Sequence, residues 1–255
     1  MEDVRELALL ERRIRGRFVK AFATYGLLAD GDRVLVGLSG GKDSLCLLEM
    51  MAGRARIHHP RFAVEAAHVR MENVDYRTSA DFLERFCSAL GVPLHIATTG
   101  FNPTPPAGAH PKPPCFLCSW QRRKQLFSLA QQLGCNKIAL GHHQDDMLVT
   151  ALMNIFFQSR FETMPPKLQM EKMPLQIIRP LCLVEEADIR RYAELRGYER
   201  QERLCPYESG TQRTAMRQLL DKMVSIHPEA RHSLWSAIAK CGQAPDERKH
   251  GPCSG

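Results

Sequence analysis

The segment Gly37-Leu38-Ser39-Gly40-Gly41-Lys42-Asp43-Ser44 follows the apolar run Val34-Leu35-Val36 and leads into Leu45-Cys46-Leu47-Leu48-Glu49-Met50-Met51. That order predicts a strand, a glycine-rich turn and a helix N-terminus. Unpaired N–H groups and the helix dipole attract anions at such a terminus, so a polyphosphate is the ligand it suits. A Walker A loop needs four residues between its first glycine and Gly-Lys-Ser/Thr. Here three residues separate Gly37 from Gly41, and Asp43 stands where the hydroxyl should follow Lys42. The segment is therefore not an ordinary γ-phosphate loop. Paired glycines also form hairpins and other turns, but the strand-to-helix context here favours phosphate binding.

The rest of the chain repeats the strand and helix alternation. Strands are predicted at 34–38, 62–69, 94–98, 137–140 and 177–179, with helices at 42–51, 79–90, 116–133, 146–157 and 185–196 between or after them. Such alternation predicts an α/β, doubly wound, mostly parallel sheet with helices on both faces. Before it, Leu7, Leu10, Ile14, Phe18 and Phe22 recur at helical spacing with Arg12, Arg13, Arg15, Arg17 and Lys20 between them. This predicts an N-terminal amphipathic helix with a basic outer face. The expected organisation is that helix over residues 1–28, a nucleotide-binding domain over 29–196, a small helical appendage over 197–242 that carries Cys205, and a disordered tail over 243–255.

Composition narrows the class. A chain of 255 residues with 44% hydrophobic content can bury a full core. It has no uncharged apolar run of the roughly 18 residues that a membrane span requires, and its acidic, arginine-rich start lacks a signal-peptide core. A cytoplasmic protein without membrane contact is expected. The net charge of +7 favours an acidic partner, of which nucleic acid is the commonest. Nine cysteines, an odd number, suit thiols, metal ligands or catalytic sulfur better than a disulfide framework.

Two further constellations carry chemistry. Leu140-Gly141-His142-His143-Gln144-Asp145-Asp146 ends the fourth strand, and ligands collect at the carboxyl ends of strands where the strand order reverses. If the first and fourth strands flank the reversal, Asp145 and Asp146 face the glycine loop, and one of them with Asp43 suits a phosphate-bridging Mg²⁺. A helix N-cap is the competing role for the aspartate pair. Cys115-Phe116-Leu117-Cys118 precedes Arg122-Arg123-Lys124. Two thiolates one helical turn apart can hold a metal, and Cys205, in a loop before Pro206, is the best third ligand. Three thiolates without a fourth suit an open-site zinc or an iron–sulfur cluster with one unligated iron. Cys46, Cys87, Cys135 and Cys182 fall in helix or strand patterns and read as small buried hydrophobes. Pro114-Cys115-x-x-Cys118 is also half of the zinc deaminase signature, but the required earlier His-x-Glu is absent.

Together with Met164-Pro165-Pro166-Lys167-Leu168 and Ile178-Arg179-Pro180-Leu181, these segments resemble the tRNA 2-thiocytidine synthetase family of PP-loop ATP pyrophosphatases. The resemblance spans residues 30 to 210. It implies an enzyme that uses ATP to adenylate a tRNA cytidine at its C2 oxygen and replaces that oxygen with sulfur. It implies that Ser39, Gly40, Gly41, Lys42, Asp43, Ser44, Gly141, Asp145 and Asp146 bind ATP and Mg²⁺. Lys42, Asp43, Arg122 and Asp146 carry the catalytic roles, and Cys115, Cys118 and Cys205 ligate a [4Fe-4S] cluster. The expected partners are tRNA, through an anticodon-loop cytidine, and a sulfur donor such as a cysteine desulfurase or free sulfide; a homodimer is left open. The chain departs from the family at Glu208, where a second cysteine commonly follows the third ligand, and its tail from Thr211 matches no segment of the pattern. The rival readings are a lysidine-synthetase-like or amidating PP-loop enzyme with structural zinc, and a non-enzymatic RNA-binding or redox-sensing protein. Metal identity separates the first, and ATP-dependent pyrophosphate release separates the second.

Overall fold

The computed structural model describes residues 2–72, 74–76, 80–102, 114–199, 203–204 and 212–240. Its elements are α1 (Glu2–Tyr25), β1 (Asp32–Gly37), α2 (Lys42–Ala55), β2 (Phe62–Met71), β3 (Asp75–Tyr76), α3 (Asp81–Leu90), β4 (Leu94–Thr99) and α4 (Pro114–Gln132). They continue with β5 (Lys137–Ala139), α5 (Gln144–Gln158), β6 (Lys167–Gln169), β7 (Gln176–Ile178), α6 (Glu186–Leu195), β8 (Arg203–Leu204), α7 (Gln212–Ile226) and α8 (Ala230–Lys240).

The main sheet has the order β4-β2-β1-β5-β7-β6 and is parallel except for the β6 edge, which pairs antiparallel with β7. From β1 the chain winds outward through β2 and β4, and α4 then returns it to the other side of β1. The strand order therefore reverses between β1 and β5, as the sequence pattern anticipates, and the carboxyl ends of those two strands open a crevice. The central strands are apolar on both faces: Val34, Leu35, Val36, Ile138 and Ala139 are all fully buried, as expected for a sheet covered by helices on both sides. β6 and the two-residue β3–β8 ribbon are absent from the expected elements. Their two or three residues are too short to show a period of two.

The N-terminal helix is part of the core. Leu10, Ile14, Phe18 and Ala21 bury one stripe of α1 into the same cluster as Leu47, Leu48 and Ile189. Part of its basic face turns to α6: Arg13 donates to Asp188 at 2.9 and 2.5 Å, Arg17 lies 2.8 Å from Glu185, and Arg191 of α6 returns a bidentate pair to Glu6. Arg12, Arg15 and Lys20 stay exposed. At the other end of the chain, Leu220 of α7 and Ile238 of α8 pack on Leu148, Val149, Ala151 and Leu152 of α5.

Beneath the crevice, at the amino ends of β1 and β5, a buried ion pair fixes the register of the two strands. Lys137 Nζ lies 2.8 Å from Asp32 and donates to the Leu27 carbonyl at 2.7 Å. The Asp32 carboxylate also accepts the Ala29 N–H and the Asn136 amide at 2.6 and 2.8 Å. A buried pair broken on one side leaves an uncompensated charge, so Asp32→Ala should destabilise the protein by about 3–5 kcal/mol. Urea denaturation measures this; a loss below about 1 kcal/mol would mean that Lys137 finds water in the folded state.

Candidate active site

The loop after β1 holds itself in shape. Gly40 takes φ +82°, the left-handed region that favours glycine. The Ser44 hydroxyl donates to the Gly41 carbonyl at 2.9 Å and accepts the Ser39 N–H at 3.1 Å, and the Ser39 hydroxyl, 3.1 Å from Ser44 Oγ, accepts the Gly41 N–H at 3.3 Å. These bonds set the loop over the N-terminus of α2, whose first N–H groups have no intrahelical acceptor. Leu38 ties the loop back to the sheet through its N–H to the Ala67 carbonyl at 2.8 Å.

Gly141, at the end of β5, touches this loop. A Cβ there would stand 3.1 Å from the Asp43 carbonyl carbon and oxygen and from the Ser44 nitrogen. Those are backbone atoms of the first turn of α2, which cannot rotate away. Glycine thus lets the two strand-end loops meet, and the N-terminus of α5 opens into the crevice beside that of α2. The helix dipoles of α2 and α5 both favour negative charge there.

Around the crevice the side chains form a closed circuit. Lys42 Nζ lies 3.0 Å from Asp43 Oδ1 and 3.0 Å from Glu186 Oε1. Glu186, at the start of α6, pairs with Arg217 of α7, and Arg217 lies 3.5 Å from Asp146. The His143 imidazole sits 3.4 Å from Asp146 and 3.8 Å from Asp43 and closes the ring. Arg213, one turn before Arg217, donates to Asp146 at 2.6 Å. Burial works to raise the Asp146 carboxyl, but the His143 charge and the Arg213 hydrogen bond outweigh it and hold the group below the usual carboxylate range. Glu186 is likewise raised by burial and brought lower by Lys42 and Arg217. His142 is pulled down to about 4 by burial and by the Arg179 charge, so its imidazole is neutral at neutral pH.

The two aspartates of the expected pair do different things. Asp146 faces the crevice and also accepts the His143 N–H at 3.2 Å, as a residue of the first helical turn does in a capping box. Asp145 is only 4% exposed. One of its oxygens accepts the Glu186 backbone N–H at 2.9 Å and the other pairs with Arg231 of α8, so it fastens α6 and α8 to α5. Arg122 lies half-buried on α4. The Met164 and Ile178 segments meet through Arg179, whose N–H and guanidinium donate to the carbonyls of Pro166 at 2.8 Å and Pro165 at 2.5 Å. The expected set omits Glu186, His143, Arg213 and Arg217. Only the i, i+4 arginines at the start of α7, a helix without an acidic first turn, carry a visible signal of that role.

The cysteines separate into two groups. Cys46, Cys87, Cys135 and Cys182 are buried. Burial raises all four thiols, Cys87 to about 11 and Cys182 to about 12. Cys115 is exposed and Cys118 half-buried on the first turn of α4, and Cys118 packs against the cluster of Met71, Val74 and Phe101. Cys205 lies outside the described residues. Leu204 of β8 pairs with Asp75 of β3, next to Val74 of that cluster. Among the described residues, no group of three or more His, Cys, Asp or Glu side chains is arranged to hold a metal ion.

Two outcomes follow from this geometry. Gly141→Ala should cost about 1–3 kcal/mol of stability, as overpacking does, and should weaken ATP binding. Gly53→Ala, at an open helical position with nothing within 4 Å, should leave both intact or stabilise the fold by up to about 1 kcal/mol; equal effects of the two in thermal melts and nucleotide titrations would remove the close-approach argument. In metal-free native protein, iodoacetamide should label Cys115 and Cys118 well before the four buried cysteines. Peptide mass spectrometry reads the order, and early labelling of Cys182 would contradict it.

Comparison with known proteins agrees with this geometry. The family described as the PP-loop domain matches residues 10–223, which reaches into α7, beyond the point where the sequence pattern could be followed. The tRNA-cytidine(32) 2-sulfurtransferase of Chromohalobacter salexigens is 34% identical over 231 residues, covering 90% of this chain and 81% of that one. The protein of the same name from Methylococcus capsulatus is 36% identical over 236 residues, covering 91% and 81%. Among solved structures, the U34-tRNA thiolase NcsA from Methanococcus maripaludis, with its [4Fe-4S] cluster, shares the fold with a TM-score of 0.74 at 21% identity, covering 96% of this chain and 82% of that one. The chain belongs to the PP-loop family and, within it, to the tRNA-cytidine(32) 2-sulfurtransferases.

Proposed function

We propose that this protein uses ATP to activate the C2 oxygen of a tRNA cytidine, position 32 by its relatives' name, and replaces that oxygen with sulfur. The observation that carries this reading is the crevice between β1 and β5, where two helix N-termini and the Lys42–Asp43–Glu186–Arg217–Asp146–His143 ring face one another. A glycine loop on a helix N-terminus suits the β,γ-pyrophosphate, and the ring supplies a movable cation, Lys42, and three carboxylates, Asp43, Glu186 and Asp146.

The C2 oxygen of cytidine is amide-like and leaves poorly. Its attack on the α-phosphorus forms an O–P bond as the bond to the β-phosphate oxygen breaks, and pyrophosphate departs into the Gly40-Gly41 loop. A sulfide-level nucleophile then adds at C2, and AMP leaves with the original oxygen. No oxidant or reductant is required: cytidine, ATP and sulfide become 2-thiocytidine, AMP and pyrophosphate. Lys42 exchanges Asp43 and Glu186 for phosphate oxygens and, with Arg122, stabilises their charge. Asp43 and Asp146, which approach the same His143 nitrogen from two sides, suit a Mg²⁺ that keeps phosphate oxygens in its shell, because Mg²⁺ takes few protein carboxylates. Neutral His142 beside the site adds no charge for the phosphates to compete with.

The thiols at the start of α4 fit a sulfur-carrying iron cluster in donor chemistry: Cys115 is exposed and Cys118 half-buried, one helical turn apart, and Cys205 is the third thiolate that the family resemblance adds. Held there, a [4Fe-4S] cluster would supply an iron that the three thiolates leave open to sulfur. The sulfur comes from a cysteine desulfurase or free sulfide.

The roles separate experimentally. Asp43→Ala should abolish ATP-dependent 2-thiocytidine formation and pyrophosphate release while leaving the iron and sulfide content and the visible absorbance of anaerobically purified protein unchanged. Cys118→Ala should lose the absorbance and the thiolation while ATP still binds. Full thiolation by Cys118→Ala would exclude the cluster, and stoichiometric zinc in a colourless protein would move the reading to amidating chemistry.

A further inference from the structure

The exposed side of α4 beside the thiols has a composition that neither nucleotide chemistry nor thiolate ligation explains. Cys115, Phe116, Ser119, Trp120, Arg123 and Lys124 are all exposed, and the same side of the helix turns into the core only further on, at Leu126 and Ala130. The spacing i, i+1, i+4, i+5, i+8, i+9 makes one continuous stripe about 13 Å long at 1.5 Å per residue. Along it run a thiol, two large aromatics, 48% and 54% exposed, and two cations. The helix contains no carboxylate at all. The aromatics therefore lie in a field of one sign, which is unusual for a merely solvated face, where charges of both signs normally mix.

An aromatic face next to cations that make no ion pair among the described residues suits single-stranded nucleic acid. Bases stack on Trp and Phe whatever their identity, and Arg and Lys hold the backbone phosphates. A base whose C2 is to be substituted must leave its stack, which strips its neighbours of a partner. We propose that this stripe of α4 is the platform for the single-stranded loop of the RNA substrate: Trp120 and Phe116 stack on bases adjacent to the modified one, and Arg123 and Lys124 contact their phosphates. This rests on the tRNA reading above and adds the surface that presents the RNA to the thiols.

The test uses the full chain with Trp235→Phe, which leaves Trp120 as the single tryptophan. An RNA stem–loop should quench its fluorescence, and the matching closed duplex should not. Trp120→Ala should weaken stem–loop binding about ten-fold or more, within the range of one lost stacked base. Arg123→Ala with Lys124→Ala should lower the salt slope of binding by about 1.4, the value for two single-strand phosphates. The thermal midpoint should stay unchanged in each, since these side chains are exposed, and ATP should still bind. Unchanged stem–loop affinity in all the variants, with the parent protein binding tightly, would overturn the platform and leave the tRNA reading standing. Failure of the parent protein to bind any tRNA at low salt would overturn both. Retained RNA affinity with loss of sulfur transfer only from a cysteine desulfurase would reassign the stripe to a protein partner and so overturn it as well.

Discussion

The meeting of Gly141 with the Asp43–Ser44 peptide governs the site. Its 3.1 Å spacing to backbone atoms draws together two strand-to-helix turns that otherwise stand a side chain apart. Everything that bears on phosphate depends on that approach: the neighbouring helix N-termini, the reach of His143 to both Asp43 and Asp146, and the place of Lys42 between Asp43 and Glu186. Because the sheet reverses between β1 and β5, no helix crosses this edge, and the crevice stays open above a contact that is closed. Beneath it the buried Asp32–Lys137 pair holds the same two strands at their other ends.

The charge ring explains how three carboxylates can share a small volume. Asp43, Glu186 and Asp146 are each separated from the next by a cation or by His143, so the repulsion among them is offset locally. Their side chains keep 13–31% of their exposure, which places the pairs between the surface and the interior. Pairs of that kind contribute little net stability, because desolvation cancels most of the attraction. Under the proposed function, that small net contribution is what lets Lys42 exchange Asp43 and Glu186 for a phosphate. A deeply buried pair such as Asp32–Lys137 could not exchange partners in that way.

Much of this was legible in the sequence, for reasons tied to particular residues. The central strands declare themselves as unbroken apolar runs, because burial on both faces removes the alternation that a half-exposed strand shows. The glycine loop is readable because Gly40 and Gly41 leave only one sensible strand-to-helix turn before Lys42. The separation of Cys115 and Cys118 from the other described cysteines follows from pattern as well: Cys46, Cys87, Cys135 and Cys182 sit among apolar neighbours. Apart from His143, whose partner Asp146 is three residues on, the side chains left out of the expected set have remote partners. Arg213 stands 67 residues from Asp146 and Arg231 86 residues from Asp145. In α7 the local sign is the pair of i, i+4 arginines on a helix without an acidic first turn, and nothing local in α8 says that Arg231 faces inward. The distinction between Asp145 and Asp146 was hidden for the same reason, since what tells them apart is the N-terminus of α6 against one and the crevice against the other.

Those remote partners give the C-terminal helices their place in the molecule. Apolar contacts of Leu220 and Ile238 set α7 and α8 on α5, and any amphipathic pair could achieve that. The arginines add direction: Arg231 locks to the buried Asp145, which itself caps α6, while Arg213 and Arg217 extend to Asp146 and Glu186 at the rim of the crevice. The side chains thus grade from fixed to exchangeable as they approach the phosphate site. Asp145 has no solvent to turn to and keeps its partners, whereas Arg213 and Arg217 remain 41% and 32% exposed and can follow the charge when a polyphosphate enters. A helix pair fastened to α5 at one end and ion-paired to the rim of the crevice at the other makes the C-terminal segment one side of the charge ring, and the family match extends into α7.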